Sequence, residues 1–153
     1  MKPLYIFDLD STLANASHRQ PLLDNKEDPD RWRKFYAACL DDEPIGPTIR
    51  TMAMLAEYAD IWIFSGRSDE VRIKTVHWLW RYTHFYPEML DTALVMRPAG
   101  DTTADDDLKR QWLLSMLEED RERLVATFDD RDRVVAMWRA NGIQCFQVAP
   151  GNF

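Results

Sequence analysis

The chain has 153 residues, 46% hydrophobic and 29% charged, with 19 Lys plus Arg against 26 Asp plus Glu and a formal net charge of −7. This size and apolar content fit one globular domain around a single core. The acidic balance excludes a protein that coats nucleic acid by general phosphate attraction, but it permits a local contact with a strand end.

The apolar run Leu4-Tyr5-Ile6-Phe7 predicts a first strand ending at Asp8-Leu9-Asp10-Ser11-Thr12. That strand starts almost at Met1, leaving no room for a signal peptide, and no run of eighteen apolar residues suggests a membrane span. Cys39 and Cys145 lie far apart and in no metal-ligand spacing, which predicts free thiols in a reducing compartment. The expectation is a soluble, cytoplasmic protein. The polar stretch 14–46, punctuated by Pro21, Pro29 and Pro44, contains one amphipathic helix over about Asp30–Leu40 and is expected to form a small helical lid.

Beyond it, helices are predicted at Pro47–Tyr58, Asp69–Tyr82, Asp105–Glu118 and Arg131–Asn141, the last stopped by Gly142. They alternate with strands at Ile61–Phe64, Ala93–Met96, Leu124–Phe128 and Ile143–Val148. Alternating β and α predicts an α/β fold, a three-layer α/β/α sandwich with a parallel sheet of order 3-2-1-4-5, forming one domain over 1–153.

In such a sheet, ligands sit outside the carboxyl ends of the strands, so Asp8 and Asp10 are aimed at the binding site. Two carboxylates that close repel each other and an incoming phosphate, and the arrangement makes chemical sense with a divalent cation between them; magnesium (Mg2+) is the expected cofactor. Asp8 is assigned the attack on phosphorus and Asp10 the acid/base work, with Thr12 supporting them. Ser65 offers a hydrogen bond to a phosphate oxygen, Gly66 a close backbone approach and Arg67 a planar guanidinium fork. Lys109 supplies positive charge to Asp8 and the phosphoryl oxygens. Asp129 is expected to complete the metal site with Asp8 and the Asp10 carbonyl, and Asp130 to reach the metal through water. Singly, each signal also describes an ordinary turn, helix start or solvated lysine. Their joint order at successive strand and helix ends is what points to phosphoryl transfer.

None of the five glycines forms a Walker A loop, so no kinase activity is expected. His18, His77 and His84 share no ligand spacing and are given no catalytic role. Trp62, Trp112 and Trp138 read as core, Trp78 and Trp80 are ambiguous, and Trp32 with Phe35 and Tyr36 on the lid has two readings, with side-chain packing favoured over contact with a substrate base.

At Asp8-Leu9-Asp10-Ser11-Thr12, Ser65, Lys109 and Asp129-Asp130 the chain resembles the haloacid dehalogenase (HAD) superfamily of magnesium-dependent phosphatases. The run Phe128–Phe153 and the segment Gly100-Asp101-Thr102 through Asp105 to Lys109 resemble the phosphatase half of bacteriophage polynucleotide kinase/phosphatase. That resemblance implies removal of 3′-phosphates from polynucleotide ends or nucleotides, host cytoplasm if the gene is phage-borne, Arg67 as a phosphate ligand, and Asp105 as an orienting partner of Lys109. Their i, i+4 spacing puts Asp105 and Lys109 on one helix face. Ser11 departs from the family pattern, which often has Gly there. The expected partner is a phosphorylated nucleic acid end or nucleotide, with no membrane and no protein partner. A 5′-nucleotidase or other small-molecule phosphatase shares the same machinery; a non-catalytic binding module fits the intact set of acids and lysine poorly.

Overall fold

A computed structural model describes residues 1–153. Its strands are β1 (Leu4–Phe7), β2 (Ala14–Asn15), β3 (Glu43–Pro44), β4 (Asp60–Ser68), β5 (Leu94–Arg97), β6 (Leu124–Asp129) and β7 (Cys145–Gln147). The α-helices are α1 (Arg31–Ala37), α2 (Gly46–Ala56), α3 (Arg72–Thr83), α4 (Pro87–Ala93), α5 (Asp105–Ser115), α6 (Glu118–Glu122) and α7 (Asp132–Ala140). Five strands form one parallel sheet in the order β5-β4-β1-β6-β7, while β2 and β3 make a separate antiparallel pair. Counting only the strands of the main sheet, this is the predicted order 3-2-1-4-5.

The layers follow from side-chain alternation along the strands. Phe7, Ile61 and Ile63 point to one face, where they pack with Met52 of α2, Trp78 and Leu79 of α3 and Leu90 of α4. Leu4, Ile6 and Phe64 point to the other, against Leu113 of α5 and Val134, Val135 and Trp138 of α7. Trp78 and Trp138 are both fully enclosed, so truncating either to Ala removes about 3–5 kcal/mol of stability.

The structure departs from expectation in four places. Ser65-Gly66-Arg67 is not a turn after a strand: β4 continues through Ser68, and its pairing with β5 shifts register between Ser65 and Ser68. Such an irregularity re-aims side chains at a sheet end. Helix α4 precedes β5, with extended Tyr86 and Pro87 at its first turn, the position where a missing N–H does no harm. The helix predicted over Asp105–Glu118 ends at Ser115 because Met116 is extended, and α6 starts afresh behind three acids in its first turn. The helix predicted over Asp30–Leu40 is α1 followed by a 3-10 turn over Ala38–Asp41. Gly142 stands where expected, at φ +77° just past α7, its N–H donating to the Arg139 carbonyl at 3.0 Å.

Segment 14–46 is tied to the sheet layers. The indole N–H of Trp78 donates to the Asp42 carbonyl at 2.8 Å, and Lys74 Nζ donates to the Ala37 carbonyl at 2.7 Å. Trp78 is therefore core, whereas Trp80 is half-exposed. No helix is long and apolar enough to cross a membrane.

Candidate active site

The carboxyl ends of β1, β4 and β6 and the first turns of α5 open on one cavity of about 700 Å³, lined among others by Asp8, Asp10, Gly66, Lys109, Asp129 and Asp130. Lys109 reaches it because α5 starts at Asp105, one turn earlier, and its ammonium donates to Asp8 Oδ1 and Asp129 Oδ2, each at 2.7 Å. Thr12 Oγ1 donates to the other Asp8 oxygen at 3.0 Å, and the Asp8 N–H donates to the Phe128 carbonyl at 2.8 Å, registering β1 against β6. Asp8, Lys109, Asp129 and Asp130 are all buried.

Burial shifts these groups in a consistent way. It pushes the Asp8 carboxyl well up, Lys109 opposing and Asp129 and Asp130 adding to the rise. The Asp130 carboxyl is raised to about 6 by burial and then by Asp129. Burial disfavours the Lys109 ammonium, but Asp129, Asp8 and Asp105 outweigh it and hold the amine charged. Asp8, Asp129 and Asp130 bring one carboxylate oxygen each within 4.8 Å of one another, and Asp130 Oδ2 is buried with no hydrogen-bond partner. An all-oxygen donor set with more negative charge than one ammonium can balance, and with an orphaned oxygen, fits a hard divalent cation.

Beside this cluster lies a second one. Asp10 Oδ1 accepts from Arg19 Nη2 at 2.6 Å and from Arg67 Nε and Nη2 at 2.8 and 2.6 Å. The same two guanidinium groups bond Asp42, Arg19 through Nε and Nη2 at 2.8 Å each and Arg67 through Nη2 at 2.6 Å. His18 Nε2 lies 2.8 Å from Asp42 Oδ1. Burial would raise the Asp10 carboxyl, but Arg67 and then Arg19 overcome it and hold it below its ordinary value. Asp10 still lines the cavity, its Oδ2 outside these hydrogen bonds.

Two sequence-based roles need correction. Arg67 is fully buried and its guanidinium faces Asp10, Asp42 and Thr75 Oγ1 instead of the cavity, so in this structure it braces the acid/base candidate and presents no fork to a phosphate. Asp105 is not hydrogen-bonded to Lys109: it sits between the guanidinium groups of Arg97 and Arg131, the latter at 2.5 Å, and acts on Lys109 only through its charge. Competition decides this, since two nearby arginines offer planar donors and Lys109 is already engaged by Asp8 and Asp129. Ser65 is enclosed and its Oγ accepts from the Arg67 N–H at 3.2 Å. Gly66 lines the cavity, and a Cβ there would stand 2.7 Å from Asp105 Oδ1.

Sequence reasoning passed over Arg19, Asp42, Arg97 and Arg131. Arg97 donates to the carbonyls of Gly66 at 2.9 Å and Thr103 at 2.6 Å, tying β4 to the loop before α5. Its place as the last residue of an apolar strand was a usable signal. Arg19 and Asp42 lie in a polar stretch with no periodicity and carried none.

Over residues 2–153 the chain matches the family model of the polynucleotide kinase PNKP phosphatase domain. It belongs to that family. Two chains solved as the Pnkp1/Rnl/Hen1 RNA repair complex and as the Pnkp1/Rnl/Hen1 complex share 26% identity and a TM-score of 0.80 over 99% of this chain. This phosphatase domain spans only 44% and 48% of those chains, less than half their length. The Class C acid phosphatase from Bacillus anthracis (16% identity, TM-score 0.62, 99% of this chain and 67% of that one) shares the fold. So does CbbY from Rhodobacter sphaeroides in complex with phosphate (18%, TM-score 0.56, 100% and 88%). The protein is a HAD phosphatase, a phosphomonoester hydrolase, with a fold that resembles the phosphatase domain of polynucleotide kinase.

Proposed function

We propose that residues 1–153 form one magnesium-dependent phosphatase domain, with segment 14–46 as a lid over the cavity, that removes 3′-phosphates from polynucleotide ends or nucleotides through an aspartyl-phosphate. The observation that carries this is the setting of Asp8, buried at a strand end between the Lys109 ammonium and the Thr12 hydroxyl, with Asp10 two residues on in the same cavity.

In the first half-reaction an Asp8 carboxylate oxygen bonds to phosphorus as the bond to the 3′-oxygen breaks, and Asp10 gives that oxygen a proton. In the second, Asp10 takes a proton from water, the water oxygen bonds to phosphorus, the acyl-phosphate bond breaks, and inorganic phosphate leaves. Arg19 and Arg67 favour the ionised Asp10 that the second half needs; the charge of a bound phosphate offsets them for the first. Lys109 holds Asp8 in line and stabilises charge on the phosphoryl oxygens. Asp8, Asp129 and the Asp10 backbone carbonyl would hold a magnesium ion, with Asp130 reaching it through water, and the ion would supply positive charge that favours the ionised Asp8. Gly66 and the buried Ser65 shape the phosphate cradle. RNA is a reasonable first polynucleotide to try, because two of the similar solved chains sit in Pnkp1/Rnl/Hen1 assemblies, one of them called an RNA repair complex. Two free, buried cysteines suit a cytoplasmic setting.

The test is phosphate release from matched 3′- and 5′-phosphorylated oligonucleotides and mononucleotides, with and without magnesium, by the native and Asp8→Asn proteins. We expect 3′ preference, dependence on magnesium, and loss of turnover in the variant. Turnover retained by Asp8→Asn overturns the nucleophile; preference for 5′-mononucleotides makes the domain a nucleotidase.

A further inference from the structure

The cavity has one wall that the phosphate chemistry does not use. Helix α1 presents Trp32, Phe35 and Tyr36 there, and Phe153 lines the same space. The four rings are in different states. Phe35 is buried, with the Arg19 guanidinium 4.2 Å from its ring centre, and Tyr36 directs its hydroxyl to the Gly66 carbonyl at 3.4 Å. Trp32 meets Phe35 edge-on at 5.8 Å and Tyr36 at a tilt at 5.9 Å, yet remains 48% exposed. Phe153 is 59% exposed, with Arg131 4.9 Å from its ring centre. A large indole propped on its neighbours but open to a polar cavity is a stacking platform awaiting a planar partner.

Its placement is fixed relative to the chemistry. Arg19 bonds Asp10 on one side and lies over Phe35 on the other, and Phe35 supports Trp32. The path from acid/base carboxylate to exposed indole therefore runs through two packed side chains.

We propose that Trp32 is the nucleobase platform of this site: the base of the nucleotide bearing the scissile phosphate stacks on its exposed face, with Phe153 as a second apolar wall. This rests on the nucleotide 3′-phosphatase reading above and names the part of the substrate that the lid recognises.

The experiment compares two 3′-phosphorylated dinucleotides, one with an ordinary terminal base and one whose terminal sugar is abasic, in the native protein, Trp32→Leu and Trp32→Phe. The native enzyme should favour the base-bearing substrate by about tenfold or more in kcat/KM, the scale of one base stacked on an aromatic ring. Trp32→Leu should bring the two substrates close to parity, chiefly through KM, and Trp32→Phe should restore part of the preference. A native ratio near one, or a ratio that survives Trp32→Leu, overturns the platform. If the native protein hydrolyses neither 3′-phosphate but does release phosphate from 5′-nucleotides, the 3′-phosphatase reading falls first and the platform, as stated for it, falls with it.

Discussion

Two clusters of buried charge meet at the end of β1, and they differ in balance. Around Asp8 the carboxylates of Asp8, Asp129 and Asp130 face one ammonium, that of Lys109, and one carboxylate oxygen of Asp130 is left without a partner. Around Asp10 two carboxylates, Asp10 and Asp42, face two guanidinium groups, Arg19 and Arg67, and the charges cancel. The first cluster is short of positive charge, and burial pushes the carboxyls of Asp8 and Asp130 up; the second is self-sufficient, and its guanidinium groups hold Asp10 down. Two aspartates separated by one leucine thus acquire opposite electrostatic settings, the kind of difference by which paired carboxylates take different roles. A deficit of charge marks a place for a cation, and a closed balance marks a scaffold.

The largest effect expected from breaking the contrast is at Lys109. Lys109→Met should lower kcat by about 10³-fold or more, since preorganised charge at the reacting group usually contributes most to the rate; steady-state phosphate release reads this, and a loss under tenfold would remove Lys109 from the mechanism. Next is the balanced cluster. Asp42→Ala leaves two buried guanidinium groups short of a counter-charge and should cost about 3–5 kcal/mol in urea denaturation. A cost under about 1 kcal/mol would mean that Asp42 is not the anchor described.

Metal and pH should separate the clusters in one experiment. With chelator present, Asp130 titrates at about 6 in the folded chain, above the unfolded value of about 4. Its stabilising contribution is complete below the unfolded value and is lost as pH rises through about 6. Asp10 has the opposite sign, contributing above its unfolded value and losing that contribution as pH falls through its lower folded value. Metal-free stability should therefore rise by about 1–3 kcal/mol from this cluster as pH falls from about 7 to about 4, then decline further down. Magnesium at about 100 times its Kd should add about 3 kcal/mol at neutral pH, and less in acid, where its ligands protonate. Urea midpoints across pH, with and without magnesium, decide this; no effect of magnesium at any pH would remove it as the cation of the first cluster. The smallest effect concerns the turn joining the clusters. Ser11 sits at φ +64°, a left-handed conformation that costs a side chain about 1 kcal/mol. Ser11→Gly should recover about that much stability, measured as a higher urea midpoint.

The sheet was legible because its strands are short apolar runs bounded by polar ends, and the order follows from right-handed crossovers off a central first strand. The acids and Lys109 were legible for the same reason, as polar residues at strand ends and helix starts. What escaped has physical causes. The β2–β3 pair has two residues per strand, too few to show a period. Among Asp41, Asp42 and Glu43 nothing in the sequence marks Asp42 as the enclosed one; only the arrival of Arg19 and Arg67 from elsewhere does. Arg67 reads as a phosphate ligand in the sequence and bonds Asp10 and Asp42 in the fold, because a guanidinium suits a carboxylate as well as a phosphate and only the fold says which is near.

The shared grip of Arg19 and Arg67 on Asp10 and Asp42 also bears on how this architecture can be altered. Segment 14–46 looks like an exchangeable ornament on a regular sheet, yet it contributes Arg19 and Asp42 to the setting of a carboxylate three residues beyond the end of β1. A graft that replaced it wholesale to retarget the enzyme would also remove Arg19 and Asp42, two of the three charged side chains that set Asp10. Retargeting by loop exchange has to carry those two side chains along and vary only the outer surface of α1, where the aromatic ring meets the cavity.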